Sequence, residues 1–96
     1  MLKFNHKYIS QKETSLYNNS IDFLYSINGT FKFDMYEIIF NGEILYNDKK
    51  DYIQVIKVSI TTDLISYEDV EDLLTSNLED DNDLLETIRN DTDERK

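Results

Sequence analysis

The chain has no cysteine, proline, tryptophan or alanine, and only two glycines among its 96 residues. Without cysteine there is no disulfide framework, no thiolate nucleophile and no cysteine-ligated metal. The two glycines lie in separate Asn-Gly pairs at 28–29 and 41–42, so the glycine-rich loop that cradles phosphates is also missing. These absences exclude enzymes with a cysteine nucleophile, proteins with a cysteine-ligated metal and proteins that bind phosphate with a glycine-rich loop.

Long hydrophobic runs are missing as well. No stretch approaches the roughly 20 apolar residues of a membrane span. The N-terminal sequence MLKFNHKY lacks the apolar run of a secretory signal. Residues with AT-rich codons, such as Ile, Asn and Lys, are abundant, as in many bacteria and their phages. We therefore expect a single domain in the cytoplasm of a bacterial host.

The acidic residues are concentrated at one end of a chain whose net charge is −10. From Asp63 onward there are thirteen carboxylates and three cations, whereas residues 1–62 hold seven acids and seven lysines. The last third therefore carries the whole net charge. With this excess of acid and with dispersed lysines, direct binding to nucleic acid is unfavourable.

The first sixty residues alternate apolar and polar side chains with the period of two that is typical of β-strands. Both Asn-Gly pairs are strong hairpin signals, and connections this short do not join parallel strands. Residues 11–20 are polar and aperiodic, which predicts a loop or a short helical turn. The pattern predicts an antiparallel meander of about five strands, at 2–9, 20–27, 30–40, 43–47 and 52–61.

The register of the first hairpin can also be predicted. A three-residue loop at 27–29 would pair Tyr25 with Phe31 and place the apolar residues of both strands on one face. The alternation changes parity at Met35-Tyr36, which indicates either a bulge or a sheet that is apolar on both sides. The last strand is similarly mixed, so we expect the helix, a second copy or a partner to cover part of the second face.

After Leu64 the periodicity becomes helical. Seven apolar residues fall within an arc of about 140° on a helical projection, namely Val70, Leu73, Leu74, Leu78, Leu84, Leu85 and Ile88. Ser66 is the predicted N-cap. The polar residues near 77–82 leave two alternatives open, one long helix or two short ones at about 66–77 and 80–90 with a second cap at Asn82 or Asp83. The predicted fold is α+β, with residues 1–90 as one domain and 91–96 as a frayed acidic tail.

No catalytic, cofactor-binding or metal-ligating residue is predicted. His6 is the only histidine and lies in an alternating strand, so a structural role is expected. The carboxylates come in runs such as Glu79-Asp80-Asp81, without the glycine and ligand spacing of a calcium loop. An enzyme is therefore disfavoured for want of an activated group.

The acids are instead predicted to form a surface that binds a partner. A helix over 66–90 would be about 37 Å long. Its acids would then project about every 3–4 Å, close to the roughly 3.4 Å between phosphates along one DNA strand. Tyrosine is enriched at interfaces. The predicted partner-binding residues are nine acids and four tyrosines, Glu68, Asp69, Glu71, Asp72, Glu79, Asp80, Asp81, Asp83, Glu86, Tyr36, Tyr46, Tyr52 and Tyr67.

A short, acidic, cysteine-free chain with a sheet and a helical segment containing EDVED and LEDDNDLLE resembles the small phage-encoded inhibitors that mimic nucleic acid. Anti-CRISPR and anti-restriction proteins belong to this class. The resemblance covers composition and layout along the whole chain. It implies an inhibitor that occupies the basic channel of a nuclease or a CRISPR effector, with carboxylates in place of phosphates, tyrosines as anchors and no cofactor.

Two alternatives remain at the level of sequence. Immunity proteins and antitoxins are also small and acidic, and they neutralise a basic toxin. An accessory protein could instead form a homodimer through an apolar second face of the sheet and use the acidic segment for solubility alone.

Overall fold

The computed structural model describes residues 2–14, 20–33, 35–61 and 67–96, except for the side chains of Thr14, Tyr67 and Glu68. The elements follow one another as β1 Leu2–Thr14, β2 Ser20–Phe33, β3 Tyr36–Asn47, β4 Tyr52–Thr61, α1 Tyr67–Asp80 and α2 Asn82–Arg95. The strands form one sheet in the order β1-β2-β3-β4, and each neighbouring pair is antiparallel. The predicted α+β class, an antiparallel meander followed by helices, is confirmed.

The described residues form a sheet of four strands, so the prediction of about five strands is wrong. Both Asn-Gly pairs lie inside strands, where Asn28 faces Asn41 across β2 and β3. Neither glycine has a positive φ, which a type I′ hairpin turn requires. The segment 43–47 is therefore the end of β3. Residues 11–14, predicted as part of a loop, continue β1, and residues 15–19 lie outside the described part.

The hairpin between β2 and β3 lies at the parity change that the sequence shows near Met35. Phe33 pairs with Tyr36, Met35 is in a turn, and Phe31 pairs with Ile38. The side chains of two residues that pair across neighbouring strands lie on the same face of the sheet. Because Phe33 pairs with Tyr36, the inward positions are odd-numbered in β2 and even-numbered in β3. The predicted bulge at this point and the predicted pairing of Tyr25 with Phe31 are both wrong.

The mixed pattern of the last strand has a different cause, a β-bulge at Ile56. Glu43 pairs with Lys57, whereas the next residue of β3, Ile44, pairs with Val55. Ile56 is the extra residue, and the parity of the inward side chains changes there. The last strand therefore does not require a second apolar face.

The glycines allow neighbouring strands to approach closely. A Cβ atom on Gly29 would lie 1.9 Å from the carbonyl oxygen of Lys3, and one on Gly42 would lie 2.4 Å from that of Lys57. Gly29 pairs with Phe4 on one side and Phe40 on the other, so aromatic rings flank the position. These positions require glycine for space and not for an unusual φ.

The hydrophobic core lies between one face of the sheet and the two helices. The sheet contributes side chains that are at most 1% exposed, among them Phe23, Tyr25, Ile27, Ile38, Phe40, Ile44 and Ile53. The helices contribute Val70, Leu74 and Leu78 from α1 and Leu84 and Ile88 from α2. Leu73, which the helical projection includes, is 37% exposed. Burial of this apolar surface is the main force that holds the helices on the sheet.

The C-terminal segment forms two helices, with Asp81 between them. Asp81 has extended backbone angles, φ −77° and ψ 115°, and its side chain accepts a hydrogen bond of 2.8 Å from the N–H of Leu84. It is therefore the N-cap of α2, in place of the predicted Asn82 or Asp83. The predicted cap at Ser66 lies outside the described residues.

The end of α2 differs from the frayed tail that the sequence analysis expected for 91–96. The helix continues to Arg95, and Thr92 is completely buried. The Thr92 Oγ1 atom lies 2.8 Å from the hydroxyl of Tyr25, which is also completely buried. Thr92 thus occupies the core position one turn beyond Ile88, where a polar residue is satisfied by a partner on β2.

Thr92→Val is expected to lower the free energy of unfolding by about 1–2 kcal/mol, because the buried hydroxyl of Tyr25 loses a partner. Tyr25→Phe should also destabilise the protein. The double variant leaves no hydroxyl to satisfy, so its cost should be smaller than the sum of the two single costs. Urea unfolding followed by circular dichroism measures all three. Strictly additive costs would show that the two hydroxyls are not coupled.

Candidate functional site

The outward acids of α1 and α2 follow one pattern repeated after 14 residues. The buried residues Val70, Leu74 and Leu78 correspond to positions 84, 88 and 92. The outward acids correspond in the same way, in the pairs Asp69 and Asp83, Asp72 and Glu86, Glu79 and Asp93, and Asp80 and Glu94. The correspondence is hard to detect in the sequence because Thr92 stands where the first helix has Leu78.

These eight residues are all exposed, and we call them the acidic surface, defined as Asp69, Asp72, Glu79, Asp80, Asp83, Glu86, Asp93 and Glu94. Six of the nine acids predicted to bind a partner belong to it. Of the other three, Glu71 and Asp81 are half-buried, and the side chain of Glu68 is outside the described part.

Two of the predicted acids also make contacts that stabilise the fold. Asp81 caps α2, as described above. Glu79 Oε2 accepts a hydrogen bond of 3.0 Å from the backbone N–H of Val55 in the edge strand β4. In the described part of the chain, no cation forms an ion pair with seven members of the acidic surface, Asp69, Asp72, Glu79, Asp80, Asp83, Glu86 and Glu94.

The three cations of the last third, two arginines of α2 and the C-cap residue Lys96, contact residues of β1 or of the turn between β3 and β4. Arg89 forms two hydrogen bonds of 2.8 Å with the carboxylate of Asp51. Lys96 lies 3.6 Å from Asp48 and 3.8 Å from Asp93. Of these three cations, Lys96 alone lies within ion-pair distance of the acidic surface, at Asp93. The arginines pair with Asp51 and Asp91, which are not members of that surface.

Arg95 contacts residues at the N-terminal half of β1 and a neighbouring acid of α2. Its guanidinium lies 4.1 Å from the ring centre of Tyr8 and donates a hydrogen bond of 2.8 Å to Asp91. His6 Nε2 lies 3.8 Å from Asp91 Oδ1, which agrees with a structural role but does not test it. Partial burial raises the pKa of Asp91, but hydrogen bonds from Arg95 and Tyr25 outweigh it, so the net pKa lies below the usual range. Burial raises the pKa of Tyr25.

Of the four predicted tyrosine anchors, the three whose side chains are described, Tyr36, Tyr46 and Tyr52, form no hydrogen bond with the acidic surface. Tyr46 is only 3% exposed, so its ring belongs to the core. Tyr52 is 44% exposed but lies on the sheet face opposite to its buried neighbour Ile53, with Lys50 Nζ 5.4 Å from its ring centre. Tyr36 is half-buried next to the β2–β3 turn, and the side chain of Tyr67 is outside the described part.

The outer face of the sheet, opposite to the helices, is polar across its centre. Asn5, Asn28, Asn41 and Ser59 pair in one row across all four strands. A shallow depression of about 240 Å³ lies beside this row. The exposed apolar residue Ile39 lies two positions from Asn41 on the same face, and Ile56 is at the bulge of β4. In the described residues the second face is therefore polar along its central row, and the sequence did not indicate this row because Asn28 and Asn41 have the local pattern of turns.

Over the described ranges, no group of three or more His, Asp or Glu side chains is arranged to hold a metal ion. None of the helices described there is long and apolar enough to cross a membrane. No family model matches the chain, no curated protein matches it, and no solved structure matches it.

Proposed function

We propose that this protein inhibits a nucleic-acid-binding enzyme, such as a nuclease or a CRISPR effector, by placing its acidic surface in the enzyme's basic channel. The observation that supports the proposal is the arrangement of charge on the two helices. Exposed carboxylates line the outward side of both helices, while Arg89 pairs with Asp51 in the turn between β3 and β4 and Arg95 lies over the ring of Tyr8 in β1. The carboxylates then stand in for phosphates, and no cofactor takes part.

The density of the acids supports this role. Each helix carries four members of the acidic surface within 12 residues, and the first and last of them lie about 16 Å apart along the helix axis. The mean interval is therefore about 5.5 Å, wider than the roughly 3.4 Å between phosphates along one strand of duplex DNA but on the same scale. A groove lined with cations that neutralise phosphates can therefore neutralise several of these carboxylates at once.

A small acidic surface of this kind is expected to bind fast and to be sensitive to salt. Complementary charge accelerates diffusional encounter, and mobile ions screen it over about 10 Å at 0.1 M salt. An antitoxin against a basic nuclease would use the same physics and the same surface. A dimer through the outer face of the sheet has less support, because that face is polar at its centre.

The proposal is tested by displacement of nucleic acid. Purified nucleases and RNA-guided effectors are loaded with a fluorescently labelled duplex, and anisotropy is followed as the protein is added. We expect the protein to release the duplex from its target, with an apparent inhibition constant that rises with duplex concentration. An unrelated protein of the same net charge is the control. Binding that leaves the duplex in place would reject the proposal.

A further inference from the structure

The turn between β3 and β4 has an unusual backbone at Asp51. Its φ is 55°, in the left-handed region that residues with a side chain rarely adopt. The turn is held by Asn47, whose side-chain oxygen accepts hydrogen bonds of 3.0 and 2.9 Å from the N–H groups of Lys49 and Lys50. The Asp51 N–H donates to the carbonyl of Asn47 at 2.9 Å. Strain of about 1–2 kcal/mol is thus maintained by a built turn.

This backbone directs the carboxylate of Asp51 toward α2. Arg89 Nε donates to Oδ1 and Nη2 donates to Oδ2, both at 2.8 Å, so the guanidinium and carboxylate form a two-pronged pair. The buried hydroxyl of Tyr46 also donates to Oδ1. The hydrogen bonds from Arg89, and to a smaller extent the one from Tyr46, hold the pKa of Asp51 below its usual range. Burial is the main cause that raises the pKa of Tyr46, and the neighbouring carboxylate of Asp51 raises this pKa further.

We propose that Tyr46, Asp51 and Arg89 form a clamp that fixes the direction of α2 and so sets the geometry in which the acidic surface meets its partner. The inference rests on the proposed function. It assigns Arg89 a positioning role, since this residue lies on the side of the helix that faces the sheet and contacts no partner itself.

The clamp acts on a helix with few buried side chains. Leu84, Ile88 and Thr92 are the buried residues among its 14, and Leu85 packs against the core beside them. A helix of this length is marginal in isolation. Arg95 and Asp91 hold its C-terminal end near Tyr8 and His6 of β1, whereas the pair of Arg89 with Asp51 ties it to the turn between β3 and β4. Two parallel hydrogen bonds between the planar guanidinium and the carboxylate restrict the rotation of the helix, whereas a single hydrogen bond would not. A rigid array of acids loses less entropy when it binds, so it binds more tightly.

The clamp and simple electrostatics make opposite predictions for Arg89→Gln. Loss of this cation makes the chain more negative, which by charge alone would strengthen binding to a basic enzyme. If the clamp sets the geometry, binding should instead weaken by about tenfold, mainly through faster dissociation. Lys32→Gln, which removes an exposed cation of β2, is the matched control and should not weaken binding.

The direction of α2 can be measured without any partner. Because the chain has no cysteine, Ser26→Cys and Asn90→Cys place spin labels on the outer face of the sheet and on α2. Pulsed electron resonance should give a narrow distance distribution in the parent and in Lys32→Gln, and a broader one in Arg89→Gln. Arg89→Lys keeps the charge but loses the two-pronged geometry, and it should broaden the distribution while remaining folded.

The outcomes separate the two proposals. An unchanged distance distribution in both Arg89 variants would overturn the clamp, whatever the enzyme assay shows. A broader distribution with unchanged or tighter binding to the enzyme that scores in the displacement assay would also overturn the inference, because the geometry of α2 would not matter. Failure of the parent protein to displace duplex from any enzyme would reject the proposed function, while the label distances would still test the clamp as a device of the fold.

Discussion

Gly29→Ala is expected to lower the free energy of unfolding by about 3 kcal/mol or more, at the upper end of the cost of overpacking. The new Cβ would lie 1.9 Å from the carbonyl oxygen of Lys3 and 2.8 Å from the Cα of Phe4. Both are backbone atoms of the neighbouring strand, so no side chain can rotate to relieve the overlap. β1 must move away from β2, and this disturbs a contact that runs from Leu2 to Thr14.

Urea unfolding followed by circular dichroism measures the effect against two controls. Gly42→Ala meets Lys57 O at 2.4 Å and should be less destabilising than Gly29→Ala. Ser26→Ala adds no atoms to the same strand as Gly29 and should stay within about 0.5 kcal/mol of the parent. A total stability of about 5–15 kcal/mol is usual for such a domain, so the first variant loses a large share. A midpoint for Gly29→Ala equal to that of Ser26→Ala would show that the strands can separate at little cost.

Reversal of one charge on each helix is expected to abolish most of the binding. In Asp72→Lys/Glu86→Lys, the two changed residues occupy corresponding positions of the 14-residue pattern. We expect the affinity for the enzyme from which the parent protein displaces duplex to fall by about 100-fold at about 0.1 M salt, because two attractive contacts become repulsive. The remaining affinity should also depend less on salt. Both residues are exposed and outside the ion pairs of the described chain, so folding should be retained.

The matched control is Glu13→Lys/Glu37→Lys, which makes the same change in net charge on exposed residues of the sheet. If the total charge alone decided binding, the two double variants would lose affinity equally. If the acidic surface is the binding surface, the sheet variant should retain most of its affinity. Circular dichroism and melting temperature accompany both measurements. Equal losses in the two variants would remove the acidic surface from the proposal.

The sequence predicted the parts of the fold that depend on periodicity. Alternating apolar residues indicated an antiparallel sheet, and Val70, Leu74, Leu78, Leu84 and Ile88 are buried as the helical projection predicts. The hairpin between β2 and β3 also has a signal, the parity change beside Met35. This signal was outweighed by the two Asn-Gly pairs, whose local preference for turns is overridden by pairing with neighbouring strands on both sides.

The parts that could not be predicted depend on contacts between distant residues. Thr92 has no apolar side chain to mark it as a core residue, and only the hydroxyl of Tyr25 explains its burial. Arg89 and Arg95 have the composition of surface residues, and nothing local shows that they face the sheet. The backbone of Asp51 is likewise set by its partners. Of the candidate site, exposure of the acids was predictable from helical phase, whereas the directions of the cations and tyrosines were not.

One contact described above links the acids to the behaviour of the protein at high concentration. In the described part of the chain, β1 and β4 each pair with one strand, and unpaired strand margins invite other chains to add to them. β1 carries Lys3 and Lys7 along its margin and an irregularity after Tyr8, whereas β4 has the bulge at Ile56 and the side chain of Glu79 on the N–H of Val55. Glu79 therefore occupies a backbone donor that an added strand would otherwise use. If the acids replace phosphates as proposed, a variant that neutralises Glu79 is expected both to bind less tightly and to aggregate more readily, so its soluble concentration must be measured beside its inhibition.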